Sequence, residues 1–461
     1  MKEFFIQVRN MALIVAAAAF IGLILMLAAY SVPNERIYSN VKASVDIYRI
    51  EHDHFFWGRI RQTDVDNFTN CIMLIEAVYP SEKGLIDSAL VNRMWGLGEH
   101  NSPSEILINA MDTDRRADEN DEWKYGRYWH GYLVFLKPLL YKMTVGNIRV
   151  LNSYAQLMLL AIAAALLYKR LGIWYLASFI LAVSAINPVT TALCFQNSTM
   201  LYVTLFGVIS VLLLNERLIE NKFYVYYFLI LGILTAFFDF LTYPFVSFGV
   251  PLCLFVILNR EKFFTDELKS AFKKIFYCGF GWFFGYIGMW GSKWILATSL
   301  TEYNAIKDAF YNAVFSKLSS FKIDVSNASE DIGVLDFIKF LLFSKQDSLP
   351  QGYSVSQEFT VWDVFQKNLV MLSDPSFLLF FVLFLGILVG RIIYKVAVRK
   401  EQIFISLSMI CTFLFITALP FIWYAAIVKH SYIHDFLVFK ELAIAIFSIS
   451  CFLVVLGDED L

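Results

Sequence analysis

"MALIVAAAAFIGLILMLAAY", residues 11–30, contains no charged side chain and has the length of about 20 residues that a helix needs to cross a bilayer. The composition of the whole chain agrees with this, because 58% of its 461 residues are hydrophobic, only 17% are charged, and the mean hydropathy is +0.59. Soluble domains are closer to about half apolar and about a quarter charged. The run is too long for the core of a signal peptide, and no clean cleavage site follows it, so we interpret it as an uncleaved membrane anchor.

The same length criterion predicts about ten membrane spans. They cover residues 11–30, 147–168, 171–190, 198–214, 223–238, 243–258, 275–297, 377–396, 402–424 and 439–457. "FDFLTYP" (238–244) is interpreted as an outer turn, although it could also be a kink in one long re-entrant helix. Gly281 and Gly285 have the spacing of a helix-packing face. The fold class expected is an all-α polytopic membrane protein that forms one integral domain over residues 1–461.

The orientation follows from the basic residues near the ends of the spans. Lys169-Arg170, residues 259–274 and residues 391–402 all fall on one side of a ten-span count, together with both termini. That side is predicted to be cytoplasmic, in a multi-pass protein of a cell membrane, and a bacterial plasma membrane is the expected location. Residues 31–146 and 298–376 are then two large outer loops.

The first outer loop carries two patterns typical of helices. In "DNFTNCIMLIEAVY" (66–79) apolar residues share one helical face, and Asp66 or Asn67 stands at the N-cap position. "SEKGLIDSALVNRMWGLG" (81–98) has a second amphipathic pattern that glycine closes. We expect both to be juxtamembrane helices that lie on the membrane surface.

The residues of the chain exclude several classes of function. The net charge is −2 and no block of like charge suggests a nucleic-acid partner. No phosphate-binding loop and no dinucleotide fingerprint is present, and the six cysteines have no metal-ligand spacing. A reaction on the outer face therefore needs a substrate that is already activated and has been carried through the membrane. Lipid-phosphate-linked sugars meet this requirement.

Carboxylates in the first loop are the candidate bases. Asp64 and Asp66 precede the predicted helix, where either could take the proton of an acceptor hydroxyl as it attacks a sugar. The alternative is that Asp66 only caps the helix, and the two roles are compatible. Asp112 and Asp114 have the D-x-D spacing that can hold a divalent cation, Mg²⁺ or Mn²⁺, but the surrounding charges are also typical of a solvated loop.

A basic and aromatic segment, "YGRYWHGYLVFLKPLL" (125–140), precedes the second span. Its cations could neutralise a lipid phosphate while a prenyl chain runs between helices, and its aromatic residues could contact a sugar. The residues concerned are Arg127 and Lys137 for the phosphate, and Tyr128, Trp129 and His130 for the substrate. An ordinary aromatic belt with snorkelling cations is the alternative.

Polar residues elsewhere collect on the predicted outer side, where all six histidines fall, at positions 52, 54, 100, 130, 430 and 434. His430 and His434 would share one helical face, flanked by Lys429 and Lys440, and are candidates for sugar or phosphate contacts. Zinc is a weaker alternative, because no third ligand is visible nearby. Lys293 and Lys429 are further candidates for the phosphate, and Asp239 is a candidate sugar ligand.

With these features the chain resembles the GT-C superfamily of polytopic glycosyltransferases. The likeness lies in the cytoplasmic N-terminus, the long first outer loop with its acids, the basic and aromatic segment, and the many later spans. The resemblance implies transfer of a sugar from a polyprenyl-phosphate or pyrophosphate donor to a glycan, lipid or protein acceptor, with inversion and with Asp66 as the base. Many relatives carry a soluble outer domain after the last span, whereas this sequence ends at "GDEDL". We therefore expect acceptor recognition by the two outer loops.

Two other functions compete with this one. A polysaccharide polymerase or ligase also has many spans and a large outer loop, and would depend on arginine and histidine rather than on an aspartate base. A transporter or flippase of lipid-linked saccharides would show inverted repeats and ionisable residues deep in its spans. The charges of this chain lie at the ends of the spans and no repeat is visible, which favours the transferase.

Overall fold

The computed structural model describes residues 2–58, 60–80, 83–96, 102–115, 122–265, 267–310, 312, 321–325, 353–403 and 405–458. Across these residues the chain is mainly helical, with three two-stranded antiparallel hairpins as its sheet structure. The prediction of a helical fold is therefore confirmed.

Among the residues that the structure describes, six helices are long and apolar enough to cross a membrane. They are Phe4–Tyr30, Val145–Leu171, Phe195–Glu220, Pro375–Ala397, Leu407–Ala426 and Asp435–Gly457. The protein is therefore a multi-pass helical membrane protein by the length and composition of its helices.

Four of the ten predicted spans do not reach this standard. Residues 171–190, 223–238 and 243–258 correspond to the shorter apolar helices α9 (Ile173–Ile186), α12 (Tyr224–Phe238) and α13 (Val246–Leu258). Residues 275–297 lie within the long helix α15 (Leu268–Leu300), which is rich in aromatic residues and glycine. A separate turn joins α12 to α13, so "FDFLTYP" is not a kink in a continuous helix.

The remaining elements are numbered in chain order. The helices are α1 (Lys2–Tyr30), α2 (Asn34–Lys42), α3 (Val45–Glu51), α4 (Asn67–Val78), α5 (Leu85–Val91), α6 (Pro103–Asp112), α7 (Leu133–Lys142), α8 (Val145–Leu171), α10 (Pro188–Leu193), α11 (Phe195–Glu220), α14 (Arg260–Phe263), α16 (Ala305–Asp308), α17 (Val361–Met371), α18 (Pro375–Ala397), α19 (Leu407–Ala426), α20 (Val428–Ile433), α21 (Asp435–Val438) and α22 (Leu442–Gly457). The hairpins are β1 (His54–Phe56) with β2 (Asp64–Asp66), β3 (Arg93–Trp95) with β4 (Glu122–Lys124), and β5 (Phe321–Val325) with β6 (Tyr353–Glu358).

Close helix packing in the bundle depends on glycine. A side-chain carbon added to Gly281, Gly285 or Gly232 would collide with the backbone of the facing helix in the α12–α15 pair. Small residues allow two backbones to approach in a membrane, where lipid supplies little hydrophobic force between helices. The predicted packing face at Gly281 and Gly285 is therefore confirmed.

The segment predicted as the first outer loop folds differently from the prediction. Helix α4 begins at the predicted cap, but nearly all its residues are buried, including Asn67, Asn70 and Glu76. It is an internal helix and does not lie on the membrane surface. Helix α5 ends at Asn92, whose φ of 51° is left-handed, and Trp95 belongs to a strand rather than to a helix.

The predicted cytoplasmic segments meet at one end of the bundle. A polar cavity of about 740 Å³ there is lined by residues from all three basic segments, including Arg170, Arg260 and Arg391. Arg170 pairs with Glu216 at 2.7 Å, and Arg260 lies 3.7 Å from Asp458. The grouping of these segments agrees with the predicted topology.

Candidate functional site

The two acids predicted as bases lie on a short hairpin at the start of α4. Strand β1 pairs with β2 so that His54 faces Asp66 and Phe56 faces Asp64. Asp66 is the N-cap of α4, and its Oδ1 accepts a hydrogen bond from the Thr69 amide at 2.9 Å. Aspartate is favoured at this position because its side chain satisfies an amide that the helix leaves unpaired. The predicted cap is confirmed.

The second oxygen of Asp66 is one of four buried carboxylate oxygens without a hydrogen-bond partner among the described residues, and the other three belong to Asp64, Glu76 and Glu441. Oδ2 is buried and has no hydrogen-bond partner among the described residues. Burial raises the pKa of Asp66 to about 6, and the negative charge of Asp64 adds to this effect. A carboxylate of this kind is mostly ionised at neutral pH yet basic enough to accept a proton from a hydroxyl group.

His54 contacts both Asp64 and the aromatic ring of Phe436. Its Nδ1 lies 2.9 Å from Asp64 Oδ2. Burial opposes protonation of this histidine, but the hydrogen bond and the charges of the surrounding aspartates outweigh burial and raise its pKa. The ring contacts Phe436 edge-on at 4.8 Å between centroids.

A lysine that the sequence analysis mentioned only as a flanking residue completes this cluster. Lys440 is buried, and its ammonium donates to the Phe436 carbonyl at 3.1 Å. The charges of Asp64 and Asp66 act on this ammonium. Because an ammonium has three donors, Lys440 could also bind a phosphate oxygen beside the two acids. We name His54, Asp64, Asp66 and Lys440 the Asp66 cluster.

The histidines of the second predicted segment lie next to this cluster. The rings of His430 and His434 are 4.6 Å apart, and His434 contacts Phe436 at 5.8 Å. His430 Nε2 lies 2.6 Å from the Leu241 carbonyl. Lys429 precedes His430 on the same short helix and is partly buried. The structure therefore brings together residues of the first loop and of the segment before α22.

Neutral polar groups lie near the Asp66 cluster, and sequence analysis did not identify them. Gln196 Oε1 and both amide atoms of Asn197 are buried without a hydrogen-bond partner among the described residues. Cys194, just before them, experiences the charges of Asp66 and Lys440. Buried amides without partners are uncommon, and sugar hydroxyls could satisfy them.

Asp239 is not placed to bind a sugar. Its carboxylate accepts hydrogen bonds from the amides of Leu241 and Thr242 at 2.9 and 3.0 Å, and from Gln196 Nε2 at 3.0 Å. These bonds hold the turn between α12 and α13, where Leu241 has a φ of 72°. Its acceptor positions are occupied, which corrects the prediction.

The basic and aromatic segment is an internal belt rather than an exposed lip. Arg127 is buried, lies 3.3 Å from Asp308 and contacts the Tyr125 ring at 4.4 Å. Tyr128 stacks on Trp290 with centroids 5.5 Å apart. These contacts give the segment a packing role, and they direct Arg127 toward a carboxylate rather than toward a lipid phosphate.

A second group of buried charges surrounds Glu76, which the sequence analysis missed. His130 Nδ1 lies 3.0 Å from Glu76 Oε2, and the Tyr132 hydroxyl donates to the same oxygen. Trp129 lies close by and donates to the Met289 carbonyl at 2.6 Å. We name Glu76, His130, Tyr132, Lys137 and Lys293 the Glu76 cluster.

The two lysines of the Glu76 cluster point into the fold. Lys137 donates to the Ala77 carbonyl at 2.7 Å, and burial lowers its pKa to about 8, against the charge of Glu76. Lys293 donates to Asn92 Oδ1 at 2.8 Å and lies 5.5 Å from the Trp129 ring. Both ammonium groups are buried and donate to oxygens of the fold rather than to an open position beside the Asp66 cluster.

The D-x-D pair does not form one site. Asp112 pairs with Arg49 at 2.5 Å, and Asp114 pairs with Lys42 at 2.6 Å. Each acid thus has its own surface cation, which competes with a metal ion. Within the described ranges no group of three or more potential metal ligands occurs, at Asp112 or at His430.

An apolar groove opens sideways between α7, α8 and α11. It has a volume of about 260 Å³ and is lined by Phe135, Leu139, Leu151 and Phe195 among others. Its polar lining residues, which include Asn152 and Tyr202, carry no charge at neutral pH. Asn70 of α4 binds the Phe195 amide at 2.8 Å, so the groove lies one layer from the start of α4.

Comparison with protein-family models, with curated proteins and with solved structures finds no match for this chain.

Proposed function

We propose that the protein is an inverting glycosyltransferase that moves a sugar from a polyprenyl-phosphate or pyrophosphate donor to an acceptor on the outer face of the membrane. The observation that carries the proposal is the buried Asp66 Oδ2, which has no hydrogen-bond partner among the described residues and belongs to a carboxyl group whose pKa is raised to about 6. An acid at a perturbed pKa beside a second acid and a cation is typical of catalytic sites.

The chemistry can be assigned to individual atoms. Asp66 Oδ2 accepts the proton of the acceptor hydroxyl as the acceptor oxygen bonds to the anomeric carbon. The bond from that carbon to the phosphate oxygen breaks, and the phosphate leaves with its electron pair. Lys440 lies near enough to feel the charges of both acids, and its ammonium would stabilise the leaving phosphate. Attack opposite to the leaving group inverts the anomeric centre.

In this proposal Asp64 and His54 keep Asp66 able to accept a proton. Their 2.9 Å contact restrains Asp64 beside Asp66, and the resulting repulsion keeps Asp66 basic. The neutral amides of Gln196 and Asn197 would bind sugar hydroxyls, and the apolar groove would take part of the prenyl chain. Arg127, Lys137 and Lys293 have no role in binding the donor in this proposal.

The proposal includes a topology. It has ten spans with both termini in the cytoplasm, in the plasma membrane of a bacterium. Residues 31–146 and 298–376 then face outward, where the donor lipid is presented. Grouping of the basic segments at the opposite end of the bundle supports this arrangement.

The test is Asp66→Asn, which keeps the N-cap and removes the base. Membrane vesicles with the wild-type chain, Asp66→Asn or the matched control Asp112→Asn are supplied with a radiolabelled lipid-linked sugar pool from the host. We expect transfer to fall by about 10² to 10⁴-fold in Asp66→Asn and to be unchanged in Asp112→Asn. Normal transfer by Asp66→Asn at equal protein abundance would contradict the proposal.

A further inference from the structure

The tip of the β1–β2 hairpin exposes a group of large apolar side chains. Phe56 and Trp57 are each 41% exposed and Ile60 is 39% exposed, and Arg61 beside them is also exposed. Exposed apolar side chains that occur singly need no explanation, but a cluster on one turn indicates a surface that contacts something. We name Phe56, Trp57, Ile60 and Arg61 the hairpin tip.

A hydrogen bond between the hairpin and the helix bundle shows how far along the helices the hairpin lies. The side chain of Asn187 donates to the Gln62 carbonyl at 3.2 Å. Asn187 ends the apolar helix α9 and caps α10, at the end of α9 away from Arg170. Ile180 and Val189 are exposed there, at 54% and 58%, and form part of the apolar outer surface of the bundle. The hairpin tip therefore lies level with the outer end of the lipid-facing helices.

We propose that the hairpin tip inserts into the outer leaflet, at the boundary between headgroups and acyl chains. Tryptophan and phenylalanine favour this depth, and an adjacent arginine can bind lipid phosphate while its neighbours remain in the apolar layer. The occupant is lipid rather than a protein, because the tip continues an apolar surface that already faces lipid.

The hairpin transmits this anchoring to the Asp66 cluster. The Thr63 hydroxyl closes the hairpin through contacts of 3.0 Å with both the amide and the carbonyl of Trp57. Phe56 stacks on His54 at 6.4 Å, and His54 in turn contacts Asp64. Insertion would hold the two acids at a fixed depth beside the leaflet. This consequence rests on the proposed catalytic role of Asp66, whereas insertion itself rests only on the proposed topology.

The experiment measures lipid contact directly. An NBD fluorophore is attached to Trp57→Cys, and to the matched control Lys124→Cys on the β3–β4 hairpin, whose side chain is 46% exposed. Each variant is placed in phosphatidylcholine nanodiscs with and without a doxyl-lipid quencher. The six native cysteines are buried or half-buried, and labelling of the unmodified chain supplies the background.

We expect emission at position 57 to be at least about twofold brighter than at position 124 and to be quenched by doxyl lipid. Ile60→Cys repeats the measurement if Trp57→Cys does not fold. Equal emission without quenching at both tip positions would overturn the proposal. A change only when soluble oligosaccharide is added would also overturn it and would assign the tip to an acceptor. Because no transfer is measured, the result is independent of the test on Asp66→Asn.

Discussion

The buried acids Asp66 and Glu76 lie at opposite ends of α4. The fold compensates their charges to different extents. Glu76 is surrounded by groups that compensate its charge, namely His130 at 3.0 Å, the Tyr132 hydroxyl and the nearby lysine ammonium groups. Asp66 accepts a hydrogen bond from the Thr69 amide, and its Oδ2, like Glu76 Oε1, has no hydrogen-bond partner among the described residues. About ten residues separate the two acids, which corresponds to about 15 Å along a helix.

Under the proposed function, the difference separates a structural charge from a reactive one. A buried charge that is paired on several sides stabilises one arrangement of the chain, and removing its partner is costly. A buried charge with few compensating groups is destabilising by itself, and it persists in proteins where a ligand or a reaction uses it. The Glu76 cluster therefore belongs to the scaffold in this comparison, and the Asp66 cluster to the site.

The strongest test of the comparison removes the centre of the scaffold. Glu76→Leu leaves His130, Lys137 and Lys293 without their shared anion in a buried environment. We expect a loss of about 3 to 5 kcal/mol in the free energy of unfolding, seen as low abundance and early thermal unfolding in detergent. Normal stability of Glu76→Leu would show that the Glu76 cluster does not hold the fold.

Removal of the site cation should affect transfer and leave the fold intact. Lys440→Met keeps the volume and removes the ammonium that would stabilise the leaving phosphate. We expect a fall of about 10²-fold in kcat with partial recovery in Lys440→Arg, because one charge-stabilising donor contributes about this much. A change in melting temperature without a change in kcat would make Lys440 a structural residue.

A mutation at a helix cap usually lowers the stability of a protein, whereas we expect Asp66→Asn to raise it. The pKa of Asp66 is about 6 in the folded chain, above its ordinary value of 3.8, so the folded state favours the protonated acid. Its destabilising effect is absent below about pH 4, grows between about pH 4 and pH 6, and is constant at higher pH. At pH 7.5 we expect Asp66→Asn to be more stable than the wild type by about 1 to 3 kcal/mol.

Thermal melting of both chains between pH 4 and pH 8 checks this expectation. The advantage of Asp66→Asn should disappear at the acidic end of the series. Lower stability of Asp66→Asn at every pH would mean that the negative charge of Asp66 stabilises the fold, which would contradict a raised pKa.

The pH dependence of transfer provides an independent measure. Asp66 must be ionised to accept the proton, so transfer should rise with pH and be half-maximal near pH 6, where the pKa of Asp66 lies. Initial rates in vesicles with buffered outer solution give the profile. A rate that is flat from pH 5 to pH 8 would argue against Asp66 as the base.

The smallest effects are expected at the surface. Asp112→Asn and Asp114→Asn each remove one exposed ion pair, and each should change the free energy of unfolding by less than about 0.5 kcal/mol. Thermal melting of the wild type with and without a chelator completes the comparison. A chelator effect that disappears in both variants would restore the D-x-D metal site.

Features of the chain that depend on neighbouring residues could be predicted well. The cap at Asp66 and the start of α4 need only a short polar side chain before an apolar helical face. The packing face at Gly281 and Gly285 follows from spacing along one helix. Burial of α4 was missed because its polar residues bind distant parts of the chain, as Asn67 binds Arg149 and Asn70 binds the Phe195 amide.

The candidate site shows the same division between local features, which could be predicted, and contacts between distant segments, which could not. Four of the predicted site residues lie close together, namely Asp64, Asp66, His430 and His434. Lys440 lay within an apolar segment, and nothing in the sequence indicated that it would lie near Asp64 and Asp66. Arg127, Lys137 and Lys293 were predicted to bind the donor phosphate, and each is buried among groups of the protein. Composition places such residues near a membrane interface, but it does not say whether they point outward or inward.

The sequence by itself determined that the chain is a helical multi-pass membrane protein and where several of its helices begin and end. Hydrophobic length and helix capping are local properties, so they can be recognised without a fold. Only the tertiary structure decided which charges compensate each other, because Glu76 with Lys293 and Asp66 with Lys440 come from distant segments. These pairings affect stability strongly because the residues are buried. An uncompensated charge is far less favourable in free energy in a dry interior than in water.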